Sequence, residues 1–359
     1  MNVLTILDRA LSKRLTLDEA VLLFKEADLL DLAKVADTIC RRKHPDGIAT
    51  FQIDRNINYT NICKNQCSFC AFYRSKGHPE AYLLSQEEIE EKVAETVRLA
   101  GTQIMLQGGI NPELRIDFYT KMFSGIKKKF DVRIHSLSPP EIFHIAETEK
   151  LPISYVLKQL IEAGLDSLPG GGAEILVDRV RRIISPKKIN ASQWLGVMEE
   201  AHKLGIKTTA TMMFGTVETI EERIEHLLKI RDLQDKTGGF ISFISWTYQP
   251  GNTVLGGKPV SSIEYLRMLS ICRLFLDNFR NIQGSWVTQG KDIGQICLSF
   301  GANDLGSIMI EENVVRAAGV SYKITADEMI DLILKSGKTP AQRDTEFRIL
   351  KIYDKVKNT

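Results

Sequence analysis

The residues with the clearest capacity for chemistry are three cysteines in one short run. Cys63, Cys67 and Cys70 are separated by three and then by two residues, so a single loop can bring all three thiolates to one side. Thiolates at this spacing favour an iron-sulfur cluster. Three ligands cannot complete a four-iron cluster, so one iron would stay open to a small molecule. The run therefore predicts a 4Fe-4S centre at which a reaction can occur.

The cysteines also allow a structural role, either at a zinc site or as packing residues. A structural zinc site with His78 as its fourth ligand is the alternative for the run, but structural zinc usually draws its ligands as two separated pairs, and no second pair is present. The remaining cysteines, Cys40, Cys272 and Cys297, are isolated from one another. Because free cysteine behaves as a small hydrophobic residue, we expect these three to be buried packing residues.

Composition limits the partners and the location of the chain. It has 359 residues, 43% hydrophobic and 26% charged, and its formal net charge of +2 gives no electrostatic reason to expect nucleic acid. No apolar stretch approaches membrane-spanning length, so no membrane partner is expected. A reducing compartment keeps thiolates available to iron. These features predict a cytoplasmic protein that acts on a small molecule.

The pattern of elements predicts an α/β fold. Residues 1–48 have helical periodicity and a capping box at Thr16–Glu19, which predicts an N-terminal helical extension. Residues 49–338 alternate eight short β-rich runs with helical ones, as in a (β/α)8 TIM-type barrel; an incomplete six-unit barrel is the alternative. A second capping box, at Ser85–Glu88, predicts the start of one of these helices. Residues 339–359 are predicted to be a C-terminal helical tail. The eight strands are expected near 51–59, 103–107, 132–137, 165–168, 207–213, 240–247, 282–287 and 307–310.

Most residues that could do chemistry follow these strands. In such barrels the active site lies on the loops after the carboxyl ends of the strands. The cysteine run follows the first strand and Gly108-Gly109 follows the second, while His135-Ser136 ends the third. Later loops carry the segments 169–174 and 246–252, and Gly301–Asp304 precedes the eighth strand. The topology therefore predicts that most of these segments meet at one mouth of the barrel.

The C-x3-C-x2-C run directly after the first strand, with Phe69 before its last cysteine, resembles the radical S-adenosylmethionine (SAM) enzymes. The resemblance implies that Cys63, Cys67 and Cys70 bind the cluster and that the open iron binds SAM, whose cleavage releases a 5′-deoxyadenosyl radical. It also implies that Gly108 and Gly109 present backbone to the methionine amino group. Without it, the glycine pair could equally be a plain tight turn.

Three further residues complete the predicted cofactor-binding set. Phe69 lies within the cysteine run, and Ser136 ends the third strand. Glu174 follows three glycines at a strand end, where its carboxylate could accept hydrogen bonds from the ribose hydroxyls of SAM. An equally good interpretation of Glu174 is a carboxylate at the start of a helix, where it interacts with the helix dipole.

A narrower resemblance covers most of the chain. The segments 61–74, 169–174, 209–215 and 301–306 are similar to the group that contains the menaquinone futalosine-pathway enzymes and the deazaflavin synthase subunits. Within it, segment 243–253 is most similar to the cyclic dehypoxanthine futalosine synthase family, with Ser245 where a proline is expected. Aminofutalosine synthase and the deazaflavin subunit remain the alternatives. A metal-binding recognition module is the alternative outside enzymes.

The resemblance implies an oxidative cyclisation. The radical would take the C4′ hydrogen from the ribose of dehypoxanthine futalosine, and the resulting carbon radical would add to the substrate's own aromatic ring. Loss of one electron and one proton then restores aromaticity. His135, Tyr248 and Asp304 are the candidate proton acceptors, with histidine favoured because its ordinary pKa lies near neutrality.

That reaction needs a binding group for the carboxylate of the substrate and an electron donor for the cluster. The substrate carries a benzoate, for which an arginine is the natural partner, and Arg55, Arg74 and Arg115 are candidates that the sequence does not separate. A reduced cluster also needs a one-electron donor such as a flavodoxin or ferredoxin. Lysine runs such as 127–129 could meet an acidic donor, although most charge runs are simply solvated.

Overall fold

The computed structural model describes residues 2–353 and begins with three helices. They are α1 (Val3–Ala10), α2 (Leu17–Glu26) and α3 (Leu29–Lys43). The predicted capping box opens α2: the Thr16 side chain accepts from the Glu19 backbone N–H, and the Glu19 carboxylate accepts from that of Thr16. The buried apolar side chains of these helices belong to the same core as those of the sheet. The N-terminal helices therefore pack directly on the rest of the molecule.

In the described part of the chain, eleven strands form one curved sheet, and all neighbouring pairs are parallel except β10 and β11. Their bounds are β1 (Ile48–Gln52), β2 (Asp54–Ile57), β3 (Gln103–Leu106), β4 (Arg133–Ser136), β5 (Ser167–Leu168), β6 (Lys207–Phe214), β7 (Phe240–Thr247), β8 (Asn281–Gln283), β9 (Asp304–Ser307), β10 (Thr339–Arg343) and β11 (Ile349–Ile352). Each of the eight predicted strand regions contains at least part of a strand.

The sheet closes because β1 and β2 are consecutive parts of one extended segment, separated only by Ile53. β2 pairs with β3, whereas β1 pairs with β9. Beyond β9, Ile308 N–H donates to Gln52 O (3.0 Å) and Ile310 N–H donates to Asp54 O (3.1 Å), which carries the pairing across the break. Eight strand positions thus return to the first, and the predicted (β/α)8-type barrel is confirmed over the six-unit alternative.

Twelve further helices, counted over the described residues, follow the strands. They are α4 (Gln86–Arg98), α5 (Ile116–Lys129), α6 (Pro139–Glu149), α7 (Ile153–Glu162), α8 (Asp178–Ile184), α9 (Ala191–Lys203), α10 (Ile220–Thr237), α11 (Ser262–Phe275), α12 (Trp286–Gln289), α13 (Lys291–Cys297), α14 (Val314–Ala317) and α15 (Ala326–Lys335). The predicted capping box at Ser85 opens α4. Within residues 2–353, no helix combines the length and apolar character needed to cross a bilayer.

Three details of the sequence-based expectation are wrong. The segment predicted as a C-terminal helical tail contains β10 and β11 over its described part, and residues 354–359 lie outside the described range. β10 pairs with β1 from Ile48↔Thr339 onward, because β3 reaches only the later part of the first strand and leaves that edge of β1 free. The seventh predicted strand ends at Gln283, where a short helix soon follows. The eighth begins earlier than expected, at Asp304.

The isolated cysteines and the departure at Ser245 are all buried. Cys40, Cys272 and Cys297 are at most 1% exposed, as expected for packing residues. Ser245 is fully buried inside β7 and is paired with Met212 of β6. The strand continues to Thr247 beyond it, so a serine in place of proline leaves the strand end intact.

Candidate active site

The cysteine run forms a loop after β2 that is fixed by backbone hydrogen bonds. Cys63 N–H donates to Arg74 O (3.0 Å), and Arg74 N–H donates to Asn61 O (2.8 Å). The Arg74 guanidinium donates to the carbonyls of Ala71 (3.0 Å) and Tyr73 (2.9 Å) and pairs with Glu80. Arg74, one of the three candidate partners for a substrate carboxylate, therefore makes its contacts within the cysteine loop and stabilises it.

All three cysteines line one cavity of about 300 Å³, called here the cysteine cavity. Burial raises the pKa of the Cys67 thiol to about 12 and also raises that of Cys70, so both thiols stay protonated until a metal ion displaces the proton. Among residues 2–353, no three His, Cys, Asp or Glu side chains converge as ligands of a single ion. A four-iron cluster does not require such convergence, since each of its thiolates binds a different iron.

His78, the fourth ligand that a zinc site would need, is not close enough to the thiols to share their cavity. His78 is exposed, and its Nδ1 accepts the Glu80 N–H (3.1 Å). It does not line the cysteine cavity. Among the described residues, the cavity therefore offers three thiols and no histidine, which fits a cluster with one open iron.

Gly108 and Gly109 also line the cysteine cavity, and both positions lack room for a side chain. A Cβ on Gly109 would lie 2.3 Å from the carbonyl oxygen of Ile62, and one on Gly108 would lie 2.6 Å from the Tyr59 ring. The Gly109 N–H donates to Thr60 O (2.9 Å) and the Gly108 N–H donates to a carboxylate. A bound amino group could thus meet this segment only through its carbonyl oxygens.

The carboxylate that receives the Gly108 N–H (3.1 Å) belongs to Glu141, a residue that sequence reasoning missed. Glu141 is 2% exposed and lines the cysteine cavity. It also accepts from the Tyr59 hydroxyl (2.5 Å) and the Ser138 hydroxyl (2.5 Å). Burial raises the pKa of Glu141 to about 7, although these hydrogen bonds lower it. From sequence it resembles an ordinary carboxylate in the first turn of a helix; its only signal is that it closely follows a strand end.

Glu174, the candidate ribose-binding carboxylate, is 8% exposed. It lines the cysteine cavity, and its backbone has a φ of 41°, a conformation that a non-glycine residue seldom adopts. Its Oε1 pairs with Lys188 Nζ at 3.1 Å. Its Oε2 is buried without a hydrogen-bond partner in the described chain, although Arg181 Nη1 is 3.6 Å away. An unsatisfied carboxylate oxygen in this wall fits a ligand that carries hydroxyl groups.

Phe69 and Lys188 extend this wall. The Lys188 ammonium lies 5.0 Å from the centroid of the Phe69 ring, and both residues line the cysteine cavity. Burial alone would lower the pKa of Lys188, but the charges of Cys67 and Glu174 raise it above its ordinary value. The cavity therefore contains one buried cation close to the thiols.

A second cavity of about 290 Å³ fills the inside of the barrel and is called here the lumen cavity. It adjoins the cysteine cavity, because both are lined by Gln107, Gly171, Trp246, Thr288, Val314 and Val315. His135 lines the lumen cavity, and its Nδ1 is 2.7 Å from Ser167 Oγ. Burial and, secondarily, the charge of Arg343 lower the pKa of His135 to about 3, so the imidazole is neutral near pH 7.

The other predicted site residues divide between the mouth and the opposite end. Tyr248 lines the cysteine cavity, with its hydroxyl bonded to Thr253 Oγ1 and to Gly256 O (3.1 Å). The Ser136 hydroxyl donates to Leu106 O (2.7 Å), and Ser136 lines neither cavity. Asp304 begins β9, at the amino ends of the strands. Asp304 therefore does not lie at the mouth, where most of the candidate segments were expected.

The two remaining candidate arginines also lie outside both cavities. Arg55 pairs with Glu95 (2.7 Å) and donates to Lys92 O (2.9 Å). Arg115 donates to Thr148 O (3.1 Å). The guanidinium that does line the lumen cavity is Arg343 of β10, in a segment that the sequence-based prediction made helical.

Two known family models match most of the chain. Residues 57–230 match the model of the Radical SAM superfamily, and residues 237–356 match the model described as the CofH/MqnC C-terminal region. The boundary between the two matches falls just before β7.

Two individual relatives and one solved structure are also similar to this chain. A cyclic dehypoxanthine futalosine synthase from Halalkalibacterium halodurans is 45% identical over 99% of this chain and 96% of its own length. One from Streptomyces coelicolor is 48% identical over 98% of this chain and 90% of its own. The crystal structure of methylornithine synthase (PylB) superposes with a TM-score of 0.74 at 19% identity, covering 94% of this chain and 97% of that one, a likeness that concerns the fold alone.

Proposed function

Since this chain belongs to the radical SAM superfamily and is an enzyme of that family, we propose that it converts dehypoxanthine futalosine to cyclic dehypoxanthine futalosine in menaquinone biosynthesis. The observation that supports this most strongly is the 45–48% identity, over nearly the full length, to two relatives of that name. Segment 243–253, which distinguishes this family from its neighbours, forms most of β7 and the loop that follows.

The residues of the cysteine cavity would hold the cofactors. When bound, a 4Fe-4S cluster and SAM supply a 5′-deoxyadenosyl radical. Cys63, Cys67 and Cys70 are the proposed cluster ligands, and the buried Glu174 oxygen is the proposed acceptor for the ribose hydroxyls of SAM. Phe69 and the glycine pair line the same cavity and would limit how the cofactor lies.

The lumen cavity would hold the substrate. It opens onto the cysteine cavity past Trp246, whose ring borders both spaces and could pack on an aromatic group. The lumen lies inside the barrel, and keeping solvent out of it during the reaction would favour radical chemistry because competing hydrogen donors would be excluded.

His135 is the proposed proton acceptor. It lines the lumen cavity and is neutral, so it can take up a proton. The proton that leaves the ring carbon after oxidation is strongly acidic, because its loss restores aromaticity; a base with a low pKa is therefore sufficient. Tyr248 is proposed to touch the cofactor, since it borders the cysteine cavity. Asp304 has no support from the geometry as a catalytic group.

Product analysis tests this function. The reconstituted enzyme, incubated without oxygen with SAM, a reductant and synthetic dehypoxanthine futalosine, should give a product two hydrogen atoms lighter than the substrate, together with free 5′-deoxyadenosine. Mass spectrometry of both species checks this. A product that retains the adenosyl group would instead identify an aminofutalosine synthase-type reaction. A colourless zinc protein without SAM cleavage would identify a recognition module.

The reaction also needs an external one-electron donor, which we propose is a flavodoxin or ferredoxin. We propose a cytoplasmic location as well, since all six cysteines are free and three of them must stay available to iron.

A further inference from the structure

The inward side chains of the first strand form a polar row from the floor of the lumen to the cysteine loop. Gln52, Asp54 and Asn56 line the lumen cavity, and Asn58 lines the cysteine cavity. They are two residues apart because alternate side chains of a strand point to the same face. Such a row could bind a ligand along its length.

The floor of the lumen is a closed hydrogen-bond network. Arg343 donates to Asp304 Oδ2 (2.6 Å) and Oδ1 (3.0 Å) and to Gln52 Oε1 (2.6 Å). Gln52 in turn donates to Asp54 Oδ2 (2.7 Å), and so does Gln103 (2.7 Å). Arg343 is therefore neutralised by Asp304 and has little capacity left for an anionic ligand.

Asp54 belongs to this network, but one of its two carboxylate oxygens has no hydrogen-bond partner in the described chain. It is 1% exposed, and Oδ2 accepts from two amides while Oδ1 has no hydrogen-bond partner in the described chain. A buried polar atom without a partner is costly, so a ligand donor at Oδ1 would be stabilising. Burial raises the pKa of Asp54, whereas the nearby Ser307 hydroxyl, the amides of Gln52 and Gln103 and the Arg343 charge oppose this; a further donor would add to the opposing effect.

The charge around the lumen selects which end of a ligand can lie there. In the described chain, Arg343 is the one Lys or Arg that lines the lumen cavity, whereas Asp54 and Glu312 both line it as acids. Because Arg343 is already paired with Asp304, a substrate carboxylate on this floor would meet no free cation. A hydroxyl group can donate to a carboxylate and meets no such repulsion.

From these contacts we propose that Asp54 binds the hydroxylated sugar end of the substrate, so that the substrate enters the barrel with its benzoate carboxylate away from the floor. This inference rests on the proposed function, which supplies a substrate with one hydroxylated and one anionic end. It makes Asp54 a specificity-determining residue for a ligand with a free sugar hydroxyl.

The variant Asp54→Asn tests the proposal, because asparagine keeps the acceptor for Gln52 and Gln103 and replaces Oδ1 by a donor. If the sugar end lies on the floor, the reconstituted variant should bind synthetic dehypoxanthine futalosine roughly tenfold more weakly than the unmodified enzyme. If the benzoate lies there, the same variant should bind it more tightly, since repulsion is replaced by a donor. Calorimetric titration of the substrate into each protein gives the sign.

Iron content and SAM binding are the controls. Asp54 does not line the cysteine cavity, so both should match those of the unmodified enzyme, which separates a binding effect from misfolding. Unchanged or tighter substrate binding by Asp54→Asn overturns the proposal. Failure of the unmodified enzyme to bind or convert this substrate overturns instead the proposed function on which it rests.

Discussion

At the scale of single residues, a shared cavity separates the three cysteines proposed to bind iron from the three that pack in the core. Cys63, Cys67 and Cys70 border a cavity, whereas Cys272 is fully buried within α11 among apolar side chains. The chemistry of a thiol is the same in each case. The difference is whether a metal could reach it and whether other thiols border the same space.

Cys67→Ala should abolish both the cluster and SAM cleavage, because two thiolates remain for a cluster that needs three. Cys272→Ala, the matched control, should retain both while losing on the order of 1 kcal/mol of unfolding free energy. Iron and sulfide per protein after reconstitution, with 5′-deoxyadenosine as the cleavage product, measure the difference. Loss of iron in Cys272→Ala would contradict the assignment of that residue to packing.

At the scale of elements, the site depends on contacts between loops that follow different strands. Lys64 N–H of the cysteine loop donates to Ile110 O (2.9 Å) beside the glycine pair, and Leu255 N–H donates to Ser68 O (2.8 Å) from the loop after β7. The cysteine loop is thus held by the loops after two other strands. A change in either neighbouring loop can alter the cluster site without touching a cysteine.

Gly109→Ala tests this dependence. Its Cβ would lie 2.3 Å from Ile62 O and 2.9 Å from the Cys63 side chain, so the cysteine loop must move. We expect a clear loss of iron content and a destabilisation of roughly 1–3 kcal/mol. The control is Gly196→Ala in α9, where a Cβ meets nothing within 4 Å. That variant should keep its iron and gain up to about 1 kcal/mol.

Iron determination and thermal unfolding of the two variants, carried out in parallel, give the comparison. Full iron content in Gly109→Ala would show that the glycine position is a turn of no consequence for the cluster.

Elements set by local pattern could be predicted from the sequence, and those set by tertiary pairing could not. The capping boxes at Thr16 and Ser85 are local and were predicted correctly. β10 was missed because its strand conformation depends on a free edge of β1, nearly 300 residues earlier in the chain. Arg343 was missed with it. Glu141 was missed because its role arises from contacts with Tyr59 and Gly108, which only the fold brings together.

At the scale of the whole molecule, the two cavities lie along the barrel and divide its functions. The mouth carries the thiols, and the floor is closed by the network around Arg343, which belongs to the last described segment of the chain. The interior therefore has a polar floor below walls that include Trp246, Trp286 and Met309, while the apolar core lies between the sheet and its helices. Burying so many polar groups makes stability sensitive to pH wherever a buried group can titrate.

His226 shows in which direction the stability changes with pH. It is fully buried, its Nδ1 accepts the Leu176 N–H (3.0 Å), and burial, aided by the charges of Arg181 and Lys229, lowers its pKa to about 3. The unfolded chain has a histidine pKa of about 6.5 and so binds a proton that the folded protein does not. Stability from this group is complete above about pH 6.5 and is lost as the pH falls from there towards 3.

His226→Asn should therefore flatten the pH dependence of unfolding. Asparagine can keep an acceptor for Leu176 but does not titrate, so the slope of unfolding free energy between pH 4 and 6 should fall by about 1.4 kcal/mol per pH unit. Glu141 acts in the opposite direction, since its raised pKa of about 7 makes the folded protein bind the extra proton. Denaturant titrations at several pH values measure the slope. An unchanged slope in His226→Asn, or an equal change in a variant of the exposed His78, would contradict the role of burial.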